Sequence, residues 1–149
     1  MGRGFTTRAQ ADQSCPCGSG ASYGRCCGPL HQGIQRAATA EQLMRSRYSA
    51  FALKQVDYLI ATHPEPGTPV AKRRRELRAS CEQTRWLGLR ITAVEAGAEG
   101  DLQGRVSFEA SFSAAGQRQW LKETSLFQRR GDQADGDWLY ISALNASAN

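Results

Sequence analysis

Apolar positions along this chain change period near residue 84, and the change separates a helical stretch from a stranded one. Before it, Thr39-Ala40-Glu41-Gln42 reads as a capping box, with Thr39 at the cap and Gln42 three residues on. Leu43, Met44, Ala50, Phe51 and Leu53 then form a broad apolar face, with Arg45, Arg47 and Lys54 mostly away from it. Asp57 is placed to cap a short second helix through Leu59, Ile60 and Ala61. That helix must stop near His63, because Pro64, Pro66 and Pro69 follow. The spacing predicts a third helix over residues 70–83, whose charges leave Leu77 and Cys81 as an i, i+4 apolar pair.

Beyond Thr84 the period becomes two. Leu87, Leu89 and Ile91 mark a strand over 86–94, and the stretch 97–100 reads as a hairpin turn. Val106, Phe108, Ala110 and Phe112 alternate with Arg105, Ser107, Glu109 and Ser111, the pattern of a half-buried strand that leaves Glu109 facing solvent. Ala115-Gly116 turns the chain into a third strand over 120–129. A loop at 131–136 leads to a fourth over 138–144. Three helices followed by four hairpin-linked strands give an α+β fold with the helices on one face of an antiparallel sheet.

The front of the chain has neither period. Residues 1–14 are polar and unpatterned and read as a disordered N-terminus. Residues 15–33 are compact and glycine-rich, and residues 34–145 form the periodic body. In 149 residues, 40% hydrophobic, there is material for one modest core, which excludes a disordered or collagen-like chain. No apolar run approaches the roughly 20 residues of a membrane span, and residues 1–14 hold no apolar signal-peptide segment, so the expected compartment is the cytosol. The formal charge of +5 suits an anionic partner without identifying one.

Four of the five cysteines, Cys15, Cys17, Cys26 and Cys27, fall close together. In a reducing compartment such a cluster points to a metal site rather than to disulfides. Thiolate sulfur suits tetrahedral zinc, and the eight residues between the pairs are long enough to fold back. Four protein donors leave no open position, so the ion is read as one structural Zn2+, although an iron–sulfur cluster uses the same donor set. In a segment so poor in apolar side chains the metal has to supply the folding free energy. Arg25 and other nearby basic residues are expected to offset the excess thiolate charge. His31 competes with Cys27 for the fourth position, because adjacent ligands are geometrically demanding.

Cys15-Pro16-Cys17-Gly18-Ser19-Gly20, then Tyr23, then Cys26-Cys27, resembles the SEC-C motif, the small zinc-binding element at the tail of the SecA translocation ATPase. The resemblance implies Cys15, Cys17, Cys26 and Cys27 as the ligands, and contact with protein or ribosomal partners rather than chemistry. Many members end in Cys-His where this chain has Cys-Cys. The stretches 40–51, 58–64, 86–89 and 121–127 resemble the YchJ family of uncharacterised bacterial proteins. That family joins a SEC-C motif to a cone like that of nuclear transport factor and ketosteroid isomerase: about three helices on a curved four-stranded sheet. Thr62 departs from the aromatic usual before His63-Pro64, the acidic turn usual after the last strand is missing, and residues 146–149 carry no second motif. The family brings a fold and a metal but no reaction.

Such a cone can enclose an apolar pocket. Glu123 shares strand phase with Leu121, Ser125 and Phe127, so its carboxylate points inward. Either Glu123 or His63 could act as a base, or Glu123 could be neutralised by Arg47 or Arg105, with His63 a helix C-terminal residue favoured by the dipole. Arg47 and Tyr48 are candidate pocket residues, with Tyr48 packed beside Met44 and Phe51. Cys81, paired with Leu77, reads as a buried inert thiol. Lys72, Arg73, Arg74, Arg75 and Arg78 form the strongest basic run, a solvated helix face or an anion site. The first expectation is an adaptor working through the zinc motif rather than an enzyme; the alternatives are a cone that binds or transforms a small molecule, and an RNA binder. The oligomeric state is not legible; the exposed strand phase is rich in Ser and Arg, which argues against an apolar sheet dimer.

Overall fold

The structure, a computed structural model, describes residues 7–148. Along the chain run α1 (Arg8–Asp12), a 3-10 turn (Tyr23–Arg25), α2 (Gly28–His31), α3 (Ala40–Ala52), α4 (Val56–Ala61) and α5 (Val70–Gln83). Four strands follow: β1 (Thr84–Ala96), β2 (Gln103–Ala114), β3 (Gln117–Arg129) and β4 (Trp138–Ala148), with a 3-10 turn (Arg130–Asp132) before the last. They form one antiparallel sheet in the order β1-β2-β3-β4. The expected α+β cone is therefore the observed architecture.

Helix α3 starts where its cap predicts. Thr39 Oγ1 accepts from the Gln42 amide at 3.0 Å, and Gln42 Oε1 in turn accepts from the Ala38 amide at 2.6 Å. It ends at Leu53 because Lys54 turns to a φ of 60°. Asp57 does not cap α4; that position belongs to Gln55. The Asp57 carboxylate lies in the first turn and accepts from the Arg74 guanidinium at 3.0 Å. In β2, Val106, Phe108 and Ala110 are buried, as the alternation requires. Bulges in β1 after Trp86 and after Ile91 push Leu87 outward, 43% exposed.

Two expectations change. Residues 1–6 lie outside the described residues, but the rest of the stretch read as disordered contains α1, capped by the Thr7 hydroxyl accepting from the Gln10 amide. A five-residue helix has no room for an apolar stripe, so no periodicity could announce it. It is held by docking on the Tyr23–Arg25 turn, where a Cβ on Gly24 would come within 2.9 Å of Ala11 Cβ. The second change concerns the division at residue 34. Cys15, Cys17, Tyr23 and Cys27 lie in the same buried cluster as Leu43, Tyr48, Val106, Phe127 and Trp138, so the cysteine segment and the cone share a core.

The β1–β2 connection is held against the start of α3. The Ala40 amide donates to Gly97 O at 3.0 Å, and a Cβ on Gly104 would sit 2.4 Å from Gly97 Cα. No side-chain rotation relieves a clash with backbone. Gly104→Ala is expected to lower stability by about 1–3 kcal/mol, read as a lower urea midpoint at unchanged slope.

Candidate metal centre and interior cavity

Residues 13–23 fold as a tight knuckle. The Cys15 amide donates to Ala21 O at 2.9 Å, the Tyr23 amide donates to Gln13 O at 2.7 Å, and Ser14 pairs with Ser22. The reversal between them uses Gly18 and Gly20 at φ of 79° and 90°, a region L side chains rarely adopt. The 3-10 turn then returns the chain, and the Cys26 amide donates to Tyr23 O at 3.1 Å.

These turns bring the Sγ atoms of Cys15, Cys17, Cys26 and Cys27 within 4.8 Å of one another, an arrangement that could hold a metal ion. Cys17 and Cys26 sulfurs are 3.6 Å apart, and those of Cys26 and Cys27 are 3.9 Å apart. A tetrahedron with metal–sulfur bonds of about 2.3 Å has sulfurs about 3.8 Å apart. The adjacent Cys26-Cys27 pair meets that spacing because Cys26 has a φ of -126° and ψ of -101°, which splays the two side chains. Hydroxyls stand beside two of the sulfurs: Ser49 Oγ at 3.5 Å from Cys15 and Ser19 Oγ at 3.2 Å from Cys26.

The thiols share their protons unevenly. Hydrogen bonds from Cys15 and Cys27 hold the Cys17 thiol far below its ordinary value, while burial pushes Cys26 up to about 11. Arg25, one of the basic residues expected to offset the thiolate charge, is exposed. The guanidinium at the site is Arg45 of α3, which donates to Cys17 O at 2.8 Å and pairs with Glu41 at 3.0 Å. Arg45 was hidden in the sequence as one more polar residue of the helix.

His31 stands outside the cluster, with both ring nitrogens engaged. Nε2 donates to Ser46 O at 2.8 Å, so Nδ1 is the acceptor for the Tyr23 hydroxyl at 2.6 Å. The ring packs edge-on to Tyr58, and Tyr58 reaches Ser46 Oγ at 2.7 Å. This chain of polar contacts ties the knuckle to α3. Tyr23→Phe would leave His31 Nδ1 without its donor in a buried site, and should cost about 1–2 kcal/mol in chemical denaturation. Burial lowers the His31 pKa from 6.5, so its imidazole signals should titrate below that value in an NMR pH series.

A second feature lies behind the sheet. A cavity of about 210 Å³ is lined by Met44, Arg47, Tyr48, Phe51, Trp86, Phe108, Ala110, Leu121, Glu123, Ser125 and Tyr140. Arg47, Tyr48 and Glu123 come together there as expected of pocket residues, and Tyr48 packs edge-on to Trp86 at 5.6 Å. Glu123 is not neutralised by an arginine. It accepts from Ser125 Oγ, while Arg105 faces Glu95 at 3.9 Å. Arg47 is buried: its Nη1 donates to Leu59 O at 3.0 Å and Thr62 Oγ1 at 2.6 Å, and its guanidinium lies 4.9 Å from the Tyr140 ring centre. The departure at position 62 thus provides the hydroxyl that holds Arg47. Tyr140 and Ser125 were not singled out from the sequence; Ser125 shares the inward phase with Glu123 and could have been found that way.

His63 does not join this cavity. Its Nδ1 donates to Tyr140 O at 2.8 Å, and its ring borders a separate cleft with Glu65 and Arg73. It follows the C-cap of α4, outside the sheet, so strand phase says nothing of where it points. The basic run is divided too. Arg73 is buried and paired with Glu65 at 3.3 Å, Arg74 is taken by Asp57, and Lys72, Arg75 and Arg78 face solvent. Cys81 is buried with Ala50, Val56 and Leu59, and burial raises its pKa. Among the described residues no helix is long and apolar enough to cross a membrane.

Residues 39–143 match the family model described as YchJ, middle NTF2-like domain, and residues 13–29 match the SEC-C motif. A UPF0225 protein of Ralstonia nicotianae is 42% identical over 132 residues, spanning 86% of this chain and 88% of its own. One from Chromobacterium violaceum is 40% identical over 141 residues, spanning 94% and 98%. Two solved structures are similar. The solution structure of a SEC-C motif containing protein from Rhodopseudomonas palustris has a TM-score of 0.71 at 36% identity, over 87% of this chain and 95% of that one. The crystal structure of a SEC-C motif containing protein from Psychrobacter arcticus has a TM-score of 0.73 at 27% identity, over 90% and 83%. A cysteine knuckle welded to an NTF2-like cone, matched in sequence along both parts, makes this chain a member of the YchJ (UPF0225) family.

Proposed function

We propose that this protein is a small-ligand-binding module of the cytosol, its fold locked by one structural Zn2+ on Cys15, Cys17, Cys26 and Cys27. The donor set supports zinc: four thiols within 4.8 Å of one another, three of them buried, a number that fills a tetrahedral site. The ion's part is then to hold the knuckle against α3. Elemental analysis and native mass spectrometry of protein purified without added metal should find one zinc per chain. Iron in its place, or no metal in a folded chain, sinks the assignment.

The observation that carries the ligand-binding reading is the cavity with Glu123 on its wall and no cation paired to it. Its wall joins apolar rings to a half-buried carboxylate and a buried guanidinium, the mix of apolar lining and few polar groups that suits a small ligand. Saturation-transfer NMR with the neutral probe 2-phenylethanol should show binding to the zinc-loaded protein. Ala110→Trp, which fills the cavity, should abolish it while the amide spectrum stays dispersed. Equal transfer in both proteins would place the probe elsewhere.

A second reading, contact with a protein or ribosomal partner through the knuckle, is supported by the exposure of Gly18, Ser19, Gly20 and Arg25 on its outer rim. Arg25→Glu changes that rim without touching the core, and should release such a partner in a pull-down from bacterial lysate. The RNA reading has less behind it, because two of the five basic residues are held by carboxylates. A filter-binding titration at two salt concentrations tests it: retention that weakens with salt is the expected mark of phosphate contact.

A further inference from the structure

Two opposite charges border the interior cavity, and the protein does not neutralise one with the other. Among the described residues no Lys, Arg or His nitrogen lies within 4.0 Å of the Glu123 carboxylate, whose partners are the neutral hydroxyls of Ser125 and Tyr140. Arg47 is 8% exposed and pairs with no carboxylate. Its Nη1 serves Leu59 and Thr62, and among the described residues Nε and Nη2 donate to no protein group. Burial lowers its pKa only to about 10, so it remains a cation at neutral pH. The other cavities differ. The larger groove, about 350 Å³ beside His31, has Arg36 and Asp137 paired at 2.5 Å on its wall, and the cleft at His63 has Arg73 paired with Glu65. Each of those walls holds an ion pair closed within the chain, whereas Arg47, which borders both the interior cavity and the His63 cleft, and Glu123 form none among the described residues.

Both groups have neutral partners within the chain but no opposite charge, so a ligand that carries both charges adds what the protein does not supply. Met44, Phe51, Trp86, Phe108 and Leu121 supply the apolar remainder of the wall. At about 210 Å³ the space is smaller than the roughly 300–1,000 Å³ of sites for drug-sized molecules. We infer that the cavity takes a small zwitterion of the α-amino acid type with an apolar side chain: its carboxylate on Arg47, its ammonium on Glu123, and its side chain among the aromatic rings. This inference rests on the ligand-binding reading above and adds the chemical class. No bond is made or broken.

Four probes of similar size separate the parts: L-phenylalanine, 3-phenylpropanoate without the ammonium, 2-phenylethylamine without the carboxylate, and 2-phenylethanol with neither charge. Each is titrated into the zinc-loaded protein and followed by amide and indole NMR shifts at Trp86, Ser125 and Tyr140. L-Phenylalanine should bind at least about tenfold more tightly than each of the other three, since a charged hydrogen bond contributes roughly 1.5–3 kcal/mol. Glu123→Gln, which keeps an acceptor for Ser125, should remove its advantage over 3-phenylpropanoate. Arg47→Met should remove its advantage over 2-phenylethylamine; if that variant does not fold, the comparison of probes on the unaltered protein answers the same point. Should 2-phenylethanol, the acid or the amine bind as tightly as L-phenylalanine, the zwitterion inference falls and the ligand-binding reading stands. If no probe moves these signals at millimolar concentration, both fall.

Discussion

Stripping the metal with a strong chelator should unfold the cone together with the knuckle. Cys17 is 0% exposed, and Cys15, Cys27 and Tyr23 are buried in the cluster that holds Val106, Phe127 and Trp138. Apart from this packing, the knuckle is held by Tyr23–His31–Ser46 and by Arg45 on Cys17 O. Its reversal depends on two left-handed glycines and a few backbone hydrogen bonds, none of which survives release of four sulfurs crowded within 4.8 Å. Structural zinc contributes about 10–16 kcal/mol in small motifs, against a total stability of about 5–15 kcal/mol for a domain. Loss of the ion removes as much as the whole fold has to give. Amide dispersion of β2 and β3 should therefore collapse in one transition with that of residues 13–33, and Cys17→Ser should yield no dispersed spectrum. A metal-free protein with β2 and β3 still dispersed would mean that the knuckle is an appendage. The prediction depends on the zinc proposed above; the shared core does not.

Where one periodic pattern decided an element, the sequence was enough. The alternation of Val106, Phe108 and Ala110, the Thr39 cap and the proline stop after His63 each have a local cause, and each stands in the structure. Cysteine spacing, too, is a local property, and the four sulfurs do meet. What escaped was decided by contacts far apart in sequence. His31 looked like a ligand because it is a donor near cysteines. Its two nitrogens were instead claimed by Tyr23 and by a carbonyl of α3, fifteen positions away. Arg73 looked like part of a solvated run until the turn at His63 brought carbonyl and carboxylate acceptors to it. Glu123 faced inward as its phase required, but phase cannot say which cations face it across the cavity, and none does at ion-pair distance. Bulges compound this: β4 carries two irregularities against β3, and each resets which side chains share a face.

Arg129→Ala should be the most damaging single change remote from the cysteines, at about 3–5 kcal/mol. Arg129 ends β3 and is only 8% exposed, yet no acidic side chain pairs with it among the described residues. Its guanidinium donates to three carbonyls instead: Nε to Asp101 O at 2.9 Å, Nη1 to Gly136 O at 3.2 Å, and Nη2 to Glu99 O. Those carbonyls belong to the β1–β2 turn and the β3–β4 loop, so one side chain joins both connections at that end of the sheet. The Trp138 ring covers the guanidinium at 4.5 Å and donates through Nε1 to Ala38 O at 3.1 Å, just before α3. Truncation leaves three carbonyls to find water in a space walled by an indole, and frees the turn that seats Gly97 against Ala40. Lysine restores the charge but not the fork, and one ammonium cannot reach acceptors spread over two loops with the same geometry. Arg129→Lys should therefore recover less than half of the loss. Urea unfolding followed by tryptophan fluorescence measures both variants. A full rescue by lysine would show that charge over the Trp138 ring, rather than the three-carbonyl clamp, is what this end of the sheet requires.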